Sequence, residues 1–283
     1  MVLLKIENAD GLVAPVLLAA LDGWVDAGGA ATVAAGHVAA NGTRVATFDD
    51  DRLYDYRARR PTLDIVNGRP SSLTWPELIV RRTTVGTRDV LVLTGPEPDF
   101  HWRELTSAAV ELAKRLGVAE WISLGAIPAA VPHTRDVPVM GIESAPGLLR
   151  ANVTPGPEGI LRVPAAAISV LDHAVARAGI PAVGYFAQVP HYVTGAYVPA
   201  AVELLRVLGR HLGYDVPPGA LREEARQVLA RLEAATAADE GTRAYVQRLE
   251  ATVDEARRPS GDDLISEIEQ FLRESGQEGG RGT

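Results

Sequence analysis

Short apolar runs with no in–out alternation, each closed by a turn residue, recur along residues 1–213 and alternate with segments of helical periodicity. Val16-Leu-Leu-Ala-Ala-Leu21 is the first, ending in Asp22-Gly23; Asp89-Val-Leu-Val-Leu93 is the clearest, stopped by Thr94-Gly95-Pro96. A strand that is apolar at successive positions is buried on both faces, as in sheets covered by helices on both sides. Residues 44–48, 78–85, 120–124 and 182–188 read as further strands. Helices are expected over 27–40, 101–116, 168–178 and 198–212, the second carrying Leu105, Ala109, Leu112 and Leu116 at helical spacing before Gly117. This alternation predicts an α/β fold with a mainly parallel sheet.

After Gly213 the pattern changes. Residues 214–283 hold 15 acidic and 9 basic groups, so they carry −6 of the chain's formal −8. Pro217-Pro218-Gly219 reads as a linker, followed by one helical face of Leu221, Val228, Leu229 and Leu232 and another of Tyr245, Leu249 and Val253. A third helix is expected after Ser260, with Asp262 and Asp263 in its first turn and Leu264, Ile265, Ile268, Phe271 and Leu272 as its stripe. The organisation expected is an α/β core over 1–213, a helical extension over 214–274 and a disordered tail over 275–283.

The chain has no Cys, which excludes disulfides, thiolate metal sites and cysteine nucleophiles. Its acidic balance argues against nucleic-acid or anionic-membrane partners, and the basic cluster Arg57, Arg59, Arg60, Arg81, Arg82 follows Asp49-Asp-Asp51, with which it can pair internally. No run approaches the ~18 apolar residues of a membrane span, so a cytoplasmic protein is expected. With 26 Arg against 2 Lys and abundant Ala, the coding bias is that of high-GC organisms, and an actinobacterial source is expected. Dinucleotide, P-loop, Gly-x-Ser-x-Gly, zincin and EF-hand signatures do not occur, and neither a cofactor nor a metal is expected.

Candidate site residues collect where ligands bind in open α/β sheets, at the carboxyl ends of strands. Asp22, Trp24, Asp26 and Gly28 lie between the first buried strand and its helix, where Asp26 reads either as ligand group or as N-cap. Glu97 and Asp99 follow the strand at 89–93, as an acid–base pair or with Asp99 as a cap. His133 and Arg135 follow the strand at 120–124, as general base and anion clamp or as part of a stiff Pro-rich contact loop. His191 and Tyr192 follow the strand at 182–188, and Glu143 is expected to line the same crevice. Asp26, His133 and His191 are the candidates for catalysis. Asp22, Trp24, Gly28, Glu97, Asp99, Arg135 and Tyr192 are those for ligand binding.

Taken in order, Gly23-Trp-Val-Asp-Ala-Gly28, Gly95-Pro-Glu-Pro-Asp99 with Trp102, Pro132-His-Thr134 and Val189-Pro-His-Tyr192 resemble the proteasome assembly chaperone family, in the branch named for its second eukaryotic member. The resemblance covers about residues 3–213 and extends to the actinobacterial members with a C-terminal helical extension. It implies a three-layer α/β/α core of phosphorylase/hydrolase-like fold, a homo-oligomer with a closed trimer as the expected form, and proteasome α-subunits as a client. Eukaryotic members of that family dock through a hydrophobic–Tyr–any tail. This sequence ends Gly279-Gly-Arg-Gly-Thr283, so a different docking surface is expected. The function expected is a non-enzymatic protein-binding module. The alternative is a hydrolase- or phosphorylase-like enzyme, or a binder of a nucleoside-like molecule, using the polar loops at the strand ends.

Overall fold

A computed structural model describes residues 3–7 and 9–256 of the protein. The helix expected after Ser260 and the tail over 275–283 lie outside the described residues. The strands are β1 (Leu4–Ile6), β2 (Val16–Asp22), β3 (Thr43–Phe48), β4 (Thr62–Val66), β5 (Arg69–Thr74), β6 (Ile79–Val85), β7 (Arg88–Pro96), β8 (Glu120–Ala129), β9 (Val139–Glu143), β10 (Thr154–Pro155) and β11 (Ala182–Pro190). The helices are α1 (Ala30–Ala39), α2 (Asp50–Leu53), α3 (Trp102–Arg115), α4 (Ala167–Arg177), α5 (Val198–Leu212), α6 (Leu221–Ala238) and α7 (Glu240–Ala256).

Nine strands form one sheet in the order β1-β3-β6-β7-β2-β8-β11-β9-β10, while β4 and β5 pair apart from it. The sheet is mixed, not mainly parallel as the apolar runs suggest. Only β7-β2-β8-β11 forms a parallel block at its centre, with β9-β10 as a parallel pair at the edge. The reason is connection length. Only Gly86-Thr87 joins β6 to β7, which forces a hairpin, and β9 returns antiparallel beside β11.

Alternate residues of β2 feed two separate cores. Val16, Leu18 and Ala20 face the layer that holds α1 and α5, and Leu17, Ala19 and Leu21 face the layer of α3 and α4. The run is therefore apolar at every position because each position is interior to one core or the other. In α1 the buried positions are all alanines, Ala30, Ala31, Ala34, Ala35 and Ala39, whose small side chains let the helix lie close to the sheet and to α5. Val228 is buried in the same core, with Leu221, Leu229 and Leu232 packed against it, the face expected from their spacing.

The chain forms two compact units, Met1–Ala234 and Ala235–Thr283. In the second, Val246 and Leu249 of α7 are buried and Tyr245 and Val253 are half-buried. Among the described residues no helix is long and apolar enough to cross a membrane.

Candidate functional site

The four central parallel strands end together, so the loops after β2, β7, β8 and β11 meet at one edge of the sheet. The carboxylates of Asp26, Glu97 and Asp99 in these loops accept from backbone amides. Asp26 is 7% exposed and accepts hydrogen bonds from Ala31 N at 2.7 Å, Thr32 N at 3.4 Å and Thr32 Oγ1 at 2.5 Å. Burial pushes its carboxyl above the usual range, and the bonds from Thr32 and Ala31 work against that shift. Asp26 thus satisfies the free N–H groups that begin α1, but from outside the cap position. The turn Ala27–Gly29 intervenes, with Gly28 and Gly29 left-handed at φ 64° and 63°.

Gly28 is also where the β11–α5 loop closes on this turn. Tyr197 N donates to Gly28 O at 2.9 Å, and a Cβ at Gly28 would lie 2.7 Å from Tyr197 Cβ. Gly28→Ala therefore combines an unfavourable left-handed alanine, about 1–2 kcal/mol, with a contact that must shift buried Tyr197. A loss of about 2 kcal/mol or more is expected in urea unfolding. Gly29→Ala, with the same backbone sign and open space at its Cβ, should lose only the first part.

Glu97 bridges two other segments, accepting from Trp24 N at 3.1 Å and from Ala167 N, the first residue of α4, at 2.6 Å. Gly23 is what lets it pass, since a Cβ there would meet Glu97 Cβ and Oε2 at 2.5 Å. Asp99 accepts from Asp55 N at 2.9 Å and lies 3.6 Å from Arg59 Nε, so it fastens the segment after α2 and does not cap α3. His133 is 3% exposed; Tyr192 Oη accepts from His133 N and bonds His133 Nδ1, both at 2.8 Å. His191 is exposed, with Nδ1–H donating to Ala129 O at 3.0 Å, and half-buried Arg135 donates to Thr134 O at 3.3 Å.

The structure thus brings Asp26, Gly28, Glu97, His133, His191 and Tyr192 to one edge, tied chiefly to backbone. Glu143 is the exception. Because β9 is antiparallel to β11, it pairs with Val183 near the start of β11, at the opposite edge. Its carboxylate accepts from Gly147, Leu148 and Leu149 N–H groups, which hold it well below the usual carboxylate range. Asp22 stays exposed, beside a groove of about 490 Å³ that Thr32, Trp75, Glu77 and Arg81 also line. Among the described residues no group of three or more His, Asp or Glu is placed to hold a metal ion.

The candidate Trp24 is 69% exposed. What sequence reasoning missed at this edge is the apolar surface beside it, where Trp75 and Phe100 are also exposed. Between β3 and β6 the chain leaves the same edge as the β4–β5 hairpin, whose Leu63, Ile65, Val66 and Leu73 are all exposed. The signal was available in Val66-Asn67-Gly68-Arg69. Asn67 and Gly68 both take φ > 0, at 51° and 76°, the conformation for which Asn-Gly hairpin turns are favoured.

No curated protein matches the chain in sequence. The model of the PAC2 family matches residues 20–236. Among solved structures, a Mycobacterium tuberculosis protein of unknown function is 32% identical with a TM-score of 0.81, over 90% of this chain and 91% of that one. A PAC2 family protein from Streptomyces avermitilis is 34% identical with a TM-score of 0.73, over 82% and 99%. A proteasome-assembly chaperone homologue from Mycobacterium tuberculosis is 33% identical, with the same TM-score and coverage. With a family match across most of its length, and with actinobacterial relatives that share its fold, this chain belongs to the PAC2 family.

Proposed function

We propose that this protein is a non-enzymatic protein-binding module of the assembly-chaperone kind, that it works as a homo-oligomer, and that proteasome α-subunits are its client class. The observation that carries the reading is the β4–β5 hairpin. Two strands alone are marginal in water, yet every residue of both strands is exposed in the single chain. Leu63 and Leu73 face each other across the pair, and Ile65 follows two residues on. A second copy of the chain is the partner we assign to this arm, as the oligomer reading requires. A face left to water on a monomer is a face suited to burial on association. The strand-end edge supports the same reading, because its carboxylates hold loops in place while Trp24 and Phe100 face outward. The Mycobacterium tuberculosis relative described as a proteasome-assembly chaperone homologue supplies the client class. The resemblance adds the finer expectations of a closed trimer, a phosphorylase/hydrolase-like core and a cytoplasmic site of action.

Native mass spectrometry of the protein, alone and mixed with α-subunits of its own proteasome, tests this. The expected spectrum is a homo-oligomer, with a stoichiometric complex in the mixture. The triple variant Leu63→Ser, Ile65→Ser, Leu73→Ser should shift the protein to a folded monomer, whose melting temperature no longer rises with protein concentration as the parent's does. A monomeric parent would overturn the oligomer reading. An oligomer that ignores α-subunits would overturn the client.

A further inference from the structure

A cleft away from the strand-end loops lies at the other end of β11, between α4 and β9. It has a volume of about 470 Å³, and its wall on the helix side is Ser169, Asp172, His173, Ala176 and Arg177. The opposite wall is Ile142 and Ser144 of the β9 segment, with Ala182, Val183 and Gly184 of β11 between. Its depth comes from a missing side chain. A Cβ at Gly184 would lie 2.9 Å from both Ser123 Oγ and Ile142 Cγ1, so glycine keeps that floor open.

Asp172 is held from behind. Trp121 Nε1 donates to Oδ1 and Ser123 Oγ donates to Oδ2, both at 2.8 Å, from side chains with 0% exposure. Each carboxylate oxygen accepts one such bond and has capacity for a second. The other acid at the rim, Glu143, is saturated by three backbone amides. Arg177 lies five residues along α4 from Asp172, on the exposed rim, and makes no ion pair among the described residues. The cleft thus offers one open anion in its interior, one open cation at its mouth, and the apolar surfaces of Ile142, Ala176, Ala182 and Val183 between them. Concave, largely apolar sites with a few convergent polar groups are where small ligands bind.

We infer that this cleft binds a small zwitterion, an α-amino acid with an apolar side chain, whose ammonium group donates to Asp172 and whose carboxylate is taken by Arg177. The apolar side chain lies against Ile142 and Ala176. No covalent step is involved. The site lies at the opposite edge of the sheet from the protein-binding face, so it stands or falls apart from that reading.

The probe is L-leucine, titrated into the full-length protein by isothermal calorimetry and by saturation-transfer NMR, with isoamylamine and isocaproate as analogues that each lack one charge. Binding of L-leucine with a Kd of millimolar or better is expected. Each analogue should bind at least fivefold more weakly, because each leaves one charged group of the cleft unpaired. Arg177→Gln, at an exposed position, should weaken L-leucine at least fivefold and leave isoamylamine unchanged. Asp172→Asn should weaken L-leucine and abolish the discrimination against isocaproate. No binding of L-leucine at 10 millimolar (a ceiling of about −2.7 kcal/mol) would overturn the proposal, as would equal binding of all three probes or a Kd indifferent to both substitutions.

Discussion

Glu120→Ala is expected to cost about 3–5 kcal/mol, a fall in melting temperature on the order of 10 °C for a chain of this size. Glu120 opens β8 and is 4% exposed, although it is an acid. Its Oε1 lies 3.1 Å from His211 Nε2 and its Oε2 lies 3.3 Å from Arg150, while His211 Nδ1 bonds Tyr185 Oη at 2.7 Å. Burial pushes the Glu120 carboxyl up, but the close approach of His211 and Arg150 outweighs it. The group titrates below its usual 4.5. Alanine removes the partner of a histidine whose side chain is 0% exposed and leaves a polar cavity under α5. A group whose folded pKa is depressed adds stability above its unfolded pKa and loses it as pH falls through the folded one. The gap between wild type and variant in urea unfolding should therefore be full at pH 7 and narrow at pH below 4.5. Glu120→Gln keeps the shape and one acceptor for His211, so it should lose less than half as much. A loss under about 1 kcal/mol for Glu120→Ala would show that the pair contributes nothing beyond its packing.

This network illustrates what the sequence does and does not make legible. The apolar runs specify the central strands because both faces of β2, β7 and β8 are interior, and their spacing to α3, α4 and α5 follows. Edge elements carry no such run. β4, β5 and β10 are exposed throughout, and β9 is buried only at Val139 and Gly141, so nothing in their hydrophobic pattern separates them from loop. At the strand ends, residue type and position were readable but partners were not. Glu97 reads as a candidate acid until Ala167, 70 positions later, is seen to donate to it. Glu143 reads as one of the same crevice because the direction of its strand is set by long-range pairing. Asp172 escaped notice for a different reason. It falls on a helix where an acid is ordinary, and only the fold brings Trp121 and Ser123 behind it.

Asp172→Asn is expected to stabilise the protein at pH 8 and to flatten its pH dependence. Burial pushes the Asp172 carboxyl from 3.8 to about 7, and the bonds from Ser123 and Trp121 offset only part of the shift. Around it, Trp121 and Ser123 on β8 and Ala182, Val183 and Gly184 on β11 bring no charge. His173 and Arg177 on α4 are exposed, and Glu143 on β9 is engaged by amides. Between these two pH values the folded chain holds a proton that the unfolded chain has lost, so stability falls as pH rises from about 4 to 7 and then levels. The full gap corresponds to roughly 4 kcal/mol, and partial exposure of the side chain brings the expected gain from asparagine nearer about 2 kcal/mol. Asparagine preserves the contacts, since its Oδ1 still accepts from Trp121 and its Nδ2 donates to Ser123 Oγ, whose proton turns to Val183 O, 3.5 Å away. Urea unfolding from pH 4 to 8 should show the wild-type curve falling away from the variant's, and parallel curves would remove the carboxylate from the account. An acid that weakens the fold at neutral pH, anchored by two interior donors and open toward a cleft, is held ready for a cation from outside. A bound ammonium group would recover the stability that the anion alone forfeits. Ligand-free and leucine-saturated protein should then differ most in melting temperature above pH 7 and least near pH 5, an asymmetry that Asp172→Asn should erase.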